Sequence, residues 1–409
     1  MDHGSPDRGD TAVTMLDFLH AHATHPDWRM ALALVRAQLD AQQRRLWGED
    51  GPSSATLGIA YFSDHYRVHA QALMEALSQQ WPGVSWSGTV GVGVAANGVE
   101  YFDEPALAVM LTHIPDGRFK VFSGAKPLSG FEAWTALVHA DPATPDLADL
   151  IAEMSDRTGS GYLFGGISAS RGATWQLADG AFEGGLSGVA FSRDVKMLSR
   201  VTQGSQPVGP TRRITACDGH VVTELDGQPA LRCLEQDLDI DLKQPRQAIP
   251  VLQSTLVGLS DEAQTDDGLQ RQRRAFGHDV RVRHLLGVDP AGQAFAVADR
   301  LQCGMQLTLC QRNVEAARRD LVRICSEIRE ELAEDLLTEA LPDPAKRIAG
   351  AIYVSCSGRG GPHFGGTSAE LELIRHALGD VPLVGFFAAG EVGHHHLYGY
   401  TGVLTVFPR

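Results

Sequence analysis

The chain has 409 residues, enough for two or three domains with cores of their own. Hydrophobic residues make up 43% of it, which excludes a disordered polymer. Thirty-five basic against 50 acidic residues leave a net charge of −15, which argues against nucleic acid or an anionic membrane as the main partner. The six cysteines (Cys217, Cys233, Cys303, Cys310, Cys325 and Cys356) form no C-x-x-C pair and are too sparse for a disulfide framework, so a cytoplasmic location is expected. No charged-then-apolar leader opens the chain and no run of 18 apolar residues follows, so neither export nor a membrane span is expected.

Residues 1–24 open with polar, Gly- and Pro-bearing sequence and are read as a disordered tail. "DWRMALALVRAQLDAQQRRLWG" carries Trp28, Leu32, Val35 and Leu39 on one helical face. A unit then begins that recurs. "ATLGIAYFS" is a buried strand, and "DHYRVHAQALMEALSQQ" a helix with Val68, Leu73, Met74 and Leu77 inward. "VSWSGTVGVG" is a strand running into a glycine-rich turn, and "PALAVMLTHI" a further strand. The middle of the chain offers the same order in "PDLADLIAEM", "SGYLFGGISASRG" and "LSGVAFSRDV". The C-terminal copy is "AGAIYVSCSG", the helix "TSAELELIRHALG" with Thr367 as N-cap and Glu370 closing a capping box, "VPLVGFFAAG" and "TGVLTVF". Gly88 and Gly93, Gly166 and Gly172, and Gly385 and Gly390 mark the three turns. The predicted fold class is therefore α/β: two mixed α/β domains built from repeated strand-helix-strand-strand modules. A β-rich block with turns at "DGH" and "DG" separates the second and third copies, then a polar stretch over 256–275 and a helix over 311–337. The domain boundary is placed near 240, giving domains 25–240 and 241–409.

Candidate chemistry gathers in the turns. "GGISASRG" offers Gly166, Ser168, Ser170 and Arg171, whose amides and hydroxyls could hold a small polar ligand or simply stabilise a turn. "SCSGRGG" follows a strand directly and offers Cys356, Arg359 and Gly360. Glycine lets backbone N–H groups approach an anion, and a guanidinium binds a carboxylate bidentately. Cys356 could be a nucleophile if a cation lowered its pKa, although no base or oxyanion site is identifiable. "AAGEVGHHH" offers Gly390, Glu391 and His394. In a strand His394 and His396 would share a face, but a tight metal site needs a further ligand, and the turn between two strands is the simpler reading.

Several of these motifs, in order, resemble the FIST family: "WSGTVGVGV", "GGISASRG" and "VTQGSQPVGP…VVTELDGQPAL" its N-terminal domain, and "SCSGRGG", "VPLVGFFAAGEVG" and "TGVLTVF" its C-terminal domain. Ser205 stands where many relatives carry cysteine. The resemblance implies a sensory protein for a small ligand, with amino acids proposed, that signals through a separate protein. On that reading Arg359 would hold a carboxylate and Glu391 an amino group. Some relatives are described as haem proteins responding to nitric oxide, so haem stands as an alternative cofactor; it needs an axial ligand, with His65, His69, His139, His278, His284, His363 and His376 among the candidates.

Overall fold

The computed structural model describes residues 16–47, 55–260, 280–334 and 344–409. The body is α/β with mixed sheets, and the repeat is present three times. In the first copy the strand Leu57–Ser63, the helix Ala70–Gln80 and the strand Ser85–Gly91 form a parallel crossover, and Ala106–Thr112 returns antiparallel beside Leu57–Ser63. The second copy runs Thr135–Ala140, Leu147–Asp156, Tyr162–Ile167 and Leu186–Phe191. The third runs Ile348–Cys356, Ala369–Leu378, Leu383–Ala388 and Thr401–Pro408.

Pairing register shows which residues are equivalent. Gly88, Gly165 and Gly385 lie opposite Ala60, Val138 and Tyr353. A Cβ on any of the three would fall 1.7 to 2.0 Å from the facing carbonyl oxygen, so close strand approach demands glycine there. The middle copy thus aligns on Gly165, one residue before the Gly166 expected from spacing.

Each copy also contains a hairpin between its second and third strands, and none of these hairpins joins its own sheet. Gly93–Ala96 and Val99–Phe102 of the first copy extend the third sheet through Leu383–Ala388. Trp175–Ala178 and Ala181–Glu183 of the second extend the first sheet through Ser85–Gly91. Glu391–His394 and His396–Tyr398 of the third extend the second sheet through Tyr162–Ile167. The exchange is cyclic. A further strand edges each sheet: Phe18–Thr24, Phe119–Phe122 and Leu198–Gln203. The inner faces share one core that includes Tyr61, Phe164 and Phe386, and helices cover the outer faces.

The β-rich block is inserted between Leu198–Gln203 and the helix Val314–Glu334. Its strands 306–312, 212–218, 221–225, 294–297, 281–289 and 255–260 pair in that order, and the last pairs back to the first, closing a small barrel. Residue 240 falls inside this unit, between the helices Ala230–Leu238 and Pro245–Ser254.

Several local expectations are corrected. Phe18–Thr24 is a strand rather than tail, because Phe18, Leu19, Ala21 and Ala23 are buried against Ala106–Thr112; residues 1–15 lie outside the described residues. Val68 is 75% exposed, since 64–69 form a 3-10 turn and the α-helix begins at Ala70. Ser368, not Thr367, occupies the N-cap of Ala369–Leu378. Within the polar stretch 256–275, Thr255–Ser260 is a central barrel strand, and 261–275 lie outside the described residues. The helix expected over 311–337 spans Val314–Glu334, with Ala317, Leu321, Ile324, Ile328 and Leu332 buried; residues 335–337 lie outside the described residues.

Candidate functional site

Where the barrel leans on the third copy there is a cavity of about 290 Å³. The body contributes Cys356–Gly358 from the end of one strand, Ala389–Gly390 from the end of its parallel neighbour, Ile167 from the second copy, and Leu397–Tyr400. The barrel contributes Val282–His284 and Ala298. Loops at the carboxyl ends of parallel strands are where open α/β sheets place ligands. The two chain connections into the barrel run beside it: Gly204 N–H donates to Tyr400 O (3.1 Å) and Asn313 N–H to Gly204 O (3.1 Å).

Glu391 lies under this cavity, next to Gly390 and beside Cys356. It is fully buried. Its Oε2 accepts from Thr401 N–H (3.1 Å) and Thr401 Oγ1 (2.7 Å), and the Cys356 thiol is a further side-chain partner of the carboxyl group. Burial pushes its carboxyl up to about 8, against the pull of the Thr401 bonds and of Arg359. Burial thus favours the protonated form of the group. Cys356 is likewise pushed well above an ordinary thiol by burial and by Glu391. A neutral, buried thiol is a poor nucleophile, so this geometry does not favour the thiol-enzyme alternative.

A cation stands at the rim. The Arg312 guanidinium is stacked 3.5 Å from the ring centroid of Tyr400; the residue is exposed and has no carboxylate partner among the described residues. His284 packs edge-on against the same ring at 5.2 Å, and burial followed by Arg312 lowers its pKa. Arg283 is held by Asp299 at 3.0 Å.

The ten candidate residues are thus divided. Cys356 and Gly390 line the cavity, and Glu391, which pairs with Gly166 across the second sheet, lies directly behind Gly390. Ser168, Ser170 and Arg171 lie elsewhere, where the first two copies meet. There Ser168 Oγ is 2.6 Å from Thr89 Oγ1, and Ser170 Oγ accepts from Gly172 N–H at 3.1 Å. Arg171 grips buried Asp64 through Nε (2.8 Å) and Nη2 (2.6 Å) and reaches Asp103 through Nη1. Burial alone would raise Asp64, but the Arg171 bonds overcome it and hold the carboxyl below its usual value.

Arg359 is not available to a ligand. It is 1% exposed and donates to Glu370 Oε1 through Nε (2.9 Å) and Nη2 (2.6 Å). Tyr353 and Ser355 hydroxyls donate to the same carboxylate at 2.6 and 2.9 Å. Glu370 therefore turns inward instead of closing a capping box. Gly360 is packed against Phe102, where a Cβ would meet the ring at 2.1 Å.

His394 sits at the hairpin turn with φ 54°, its ring edge-on to Tyr162 at 4.4 Å, on a different and larger cavity. Among the described residues no group of three His, Cys, Asp or Glu is placed to hold a metal. Of the histidines named for haem, His284 alone lines the 290 Å³ cavity, which is at the small end for ligand pockets and has no room for a porphyrin. His139 is sealed in the core between Tyr61 and Phe386, and His278 lies outside the described residues.

Sequence reasoning missed Arg312 and Tyr400, and named His284 only as one of several candidate haem ligands. They lie on the inserted barrel and the last turn, and no local motif marks them.

Two domain matches cover most of the chain: the FIST N domain at residues 56–228 and the FIST C domain at residues 230–394. Two mycobacterial proteins, both described only as uncharacterised, are similar along nearly their whole length. One, from Mycobacterium tuberculosis, is 28% identical over 403 residues, covering 94% of this chain and 98% of its own. The other, from Mycobacterium bovis, is 26% identical over 406 residues, covering 94% and 97%. Among the described residues no helix is long and apolar enough to cross a membrane.

Proposed function

The chain belongs to the FIST family, whose domains are generally taken as small-ligand sensory domains in signal transduction, and on that premise we propose that it senses a small carboxylate-bearing metabolite in the cavity between the third copy and the barrel. The observation that carries this reading is Glu391: a fully buried acid, kept toward its neutral form by burial, whose carboxyl meets the Cys356 thiol that lines the cavity. Such an arrangement is costly for folding alone and is typical of a site that awaits a ligand.

An α-amino acid suits the charges. Arg312 takes the carboxylate, a role expected of Arg359 from the sequence. An ammonium group placed beside Glu391 would lower its pKa, and the released proton would pass to solvent. Because barrel and body both wall the cavity, occupancy would fix their mutual position, and a separate partner protein in the cytoplasm would read it.

Calorimetric titration with a panel of L-amino acids tests this. At least one should bind saturably, and Arg312→Ala should weaken it tenfold or more, the loss of one charge-assisted pair. No binding at millimolar concentration, or equal binding to the variant, would refute the assignment.

A further inference from the structure

A second cavity, of about 680 Å³, lies on the far side of the hairpin Glu391–Tyr398. It is bounded by the strand that begins at Thr135, the segment 193–201 and the C-terminal half of the helix Val314–Glu334. Its volume falls within the usual range for small-molecule sites.

The floor is aromatic and apolar. Trp134, Tyr162 and His394 present rings, and Val195, Met197 and Leu198 complete the lining. The Tyr162 hydroxyl is buried beside the Ser199 side chain, its hydrogen-bonding neighbour. Ser199, beside it, is engaged with Thr405 Oγ1 at 2.8 Å.

The charges at the mouth are unequal. Glu327 and Glu331 line the cavity but are taken up by Arg200, and Glu327 also by Arg323 at 2.5 Å. Arg193 stacks on Trp134 at 4.9 Å, and among the described residues neither it nor Lys196 has a carboxylate partner. Asp194, between them, does not line the cavity. Exposed cations alone would mean little. Here two uncompensated cations stand over an aromatic floor, and the matching ligand has an aromatic body and an acidic head.

We propose that this cavity is a second binding site, distinct from the one over Glu391, and that it takes an aromatic carboxylic acid with its ring against Trp134 and Tyr162 and its carboxylate between Arg193 and Lys196. The site joins strands of the second and third copies, so an occupant would bear on the same hairpin that carries Glu391 at its other end.

The probe is 2-naphthoate, titrated calorimetrically into the full chain, with 2-naphthylmethanol as its neutral counterpart. Saturable naphthoate binding is expected, at least tenfold weaker for the alcohol and for the double variant Arg193→Ala/Lys196→Ala. Both residues are exposed, so that variant should fold. Arg312→Ala should leave naphthoate binding unchanged, which separates this site from the first. Absence of binding at millimolar probe, equal binding of the alcohol, or loss in Arg312→Ala with retention in the double variant would each overturn the proposal.

Discussion

At the scale of single residues, Arg359 and Glu391 exchange the prominence that their motifs suggest. An arginine in a glycine-rich loop after a strand reads as a hand held out to an anion. Here the anion is Glu370, eleven positions on, and the pair is sealed from water. Breaking a buried pair from one side strands a charge, which costs about 3–5 kcal/mol. Arg359→Ala should therefore lower stability by that order in urea unfolding; a wild-type midpoint and slope would show that Glu370 finds another partner. Glu391 makes a prediction with the opposite outcome. Its carboxyl is raised from 4.5 to about 8 in the folded chain, so between those values the folded state holds a proton the unfolded state has lost. Stability contributed by this group falls as pH rises from roughly 4.5 to 8 and levels off above. Glu100, raised to about 7 by burial, acts with the same sign, so the difference between two proteins is the quantity to measure. Glu391→Gln should melt higher than wild type at pH 8.5 and close to it at pH 5. Parallel curves would rule out a protonated Glu391. Whether a loop side chain turns in or out depends on what packs above it, which is why the sequence could nominate both residues but not separate their roles.

Elements were legible where a local pattern had to satisfy a single sheet or helix. Trp28, Leu32, Val35 and Leu39 are buried as their spacing requires, and the strand-helix-strand-strand order appears three times. The glycine spacing pointed to the right turns because three glycines are demanded by the same close strand approach. It misplaced the middle copy by one residue, since Gly165 and Gly166 are adjacent and only the register with Val138 distinguishes them. The "AAGEVGHHHLYGY" stretch is a turn region, as its glycines indicate, but it is a complete hairpin that pairs away from its own sheet. Phe18–Thr24 was unreadable as a strand because its partner lies some ninety residues on and its own alternation is weakened by two histidines.

At the scale of the molecule, the cyclic exchange makes the two matched domains interdependent. Residues 1–229 alone would leave Tyr162–Ile167 without Glu391–His394, Leu198–Gln203 without Thr401–Pro408, and Gly93–Ala96 without Leu383–Ala388. Unpaired edges of that kind aggregate. That fragment should be insoluble or lack a cooperative melt, and co-expression with 230–409 should recover a soluble complex; a cooperative melt of the N-terminal piece by itself would contradict the interlock. The amino-acid sequence by itself determined the α/β class, the repeat, the buried face of Trp28–Leu39 and the family, because each rests on periodicity or on motifs a few residues long. Only the tertiary structure decided which hairpin completes which sheet, that Arg359 is spent on Glu370, and that Arg312, Tyr400 and His284 meet over Cys356 and Glu391. Those facts depend on contacts between residues far apart in the chain, and no local pattern encodes which distant surface a strand edge or a charge will find.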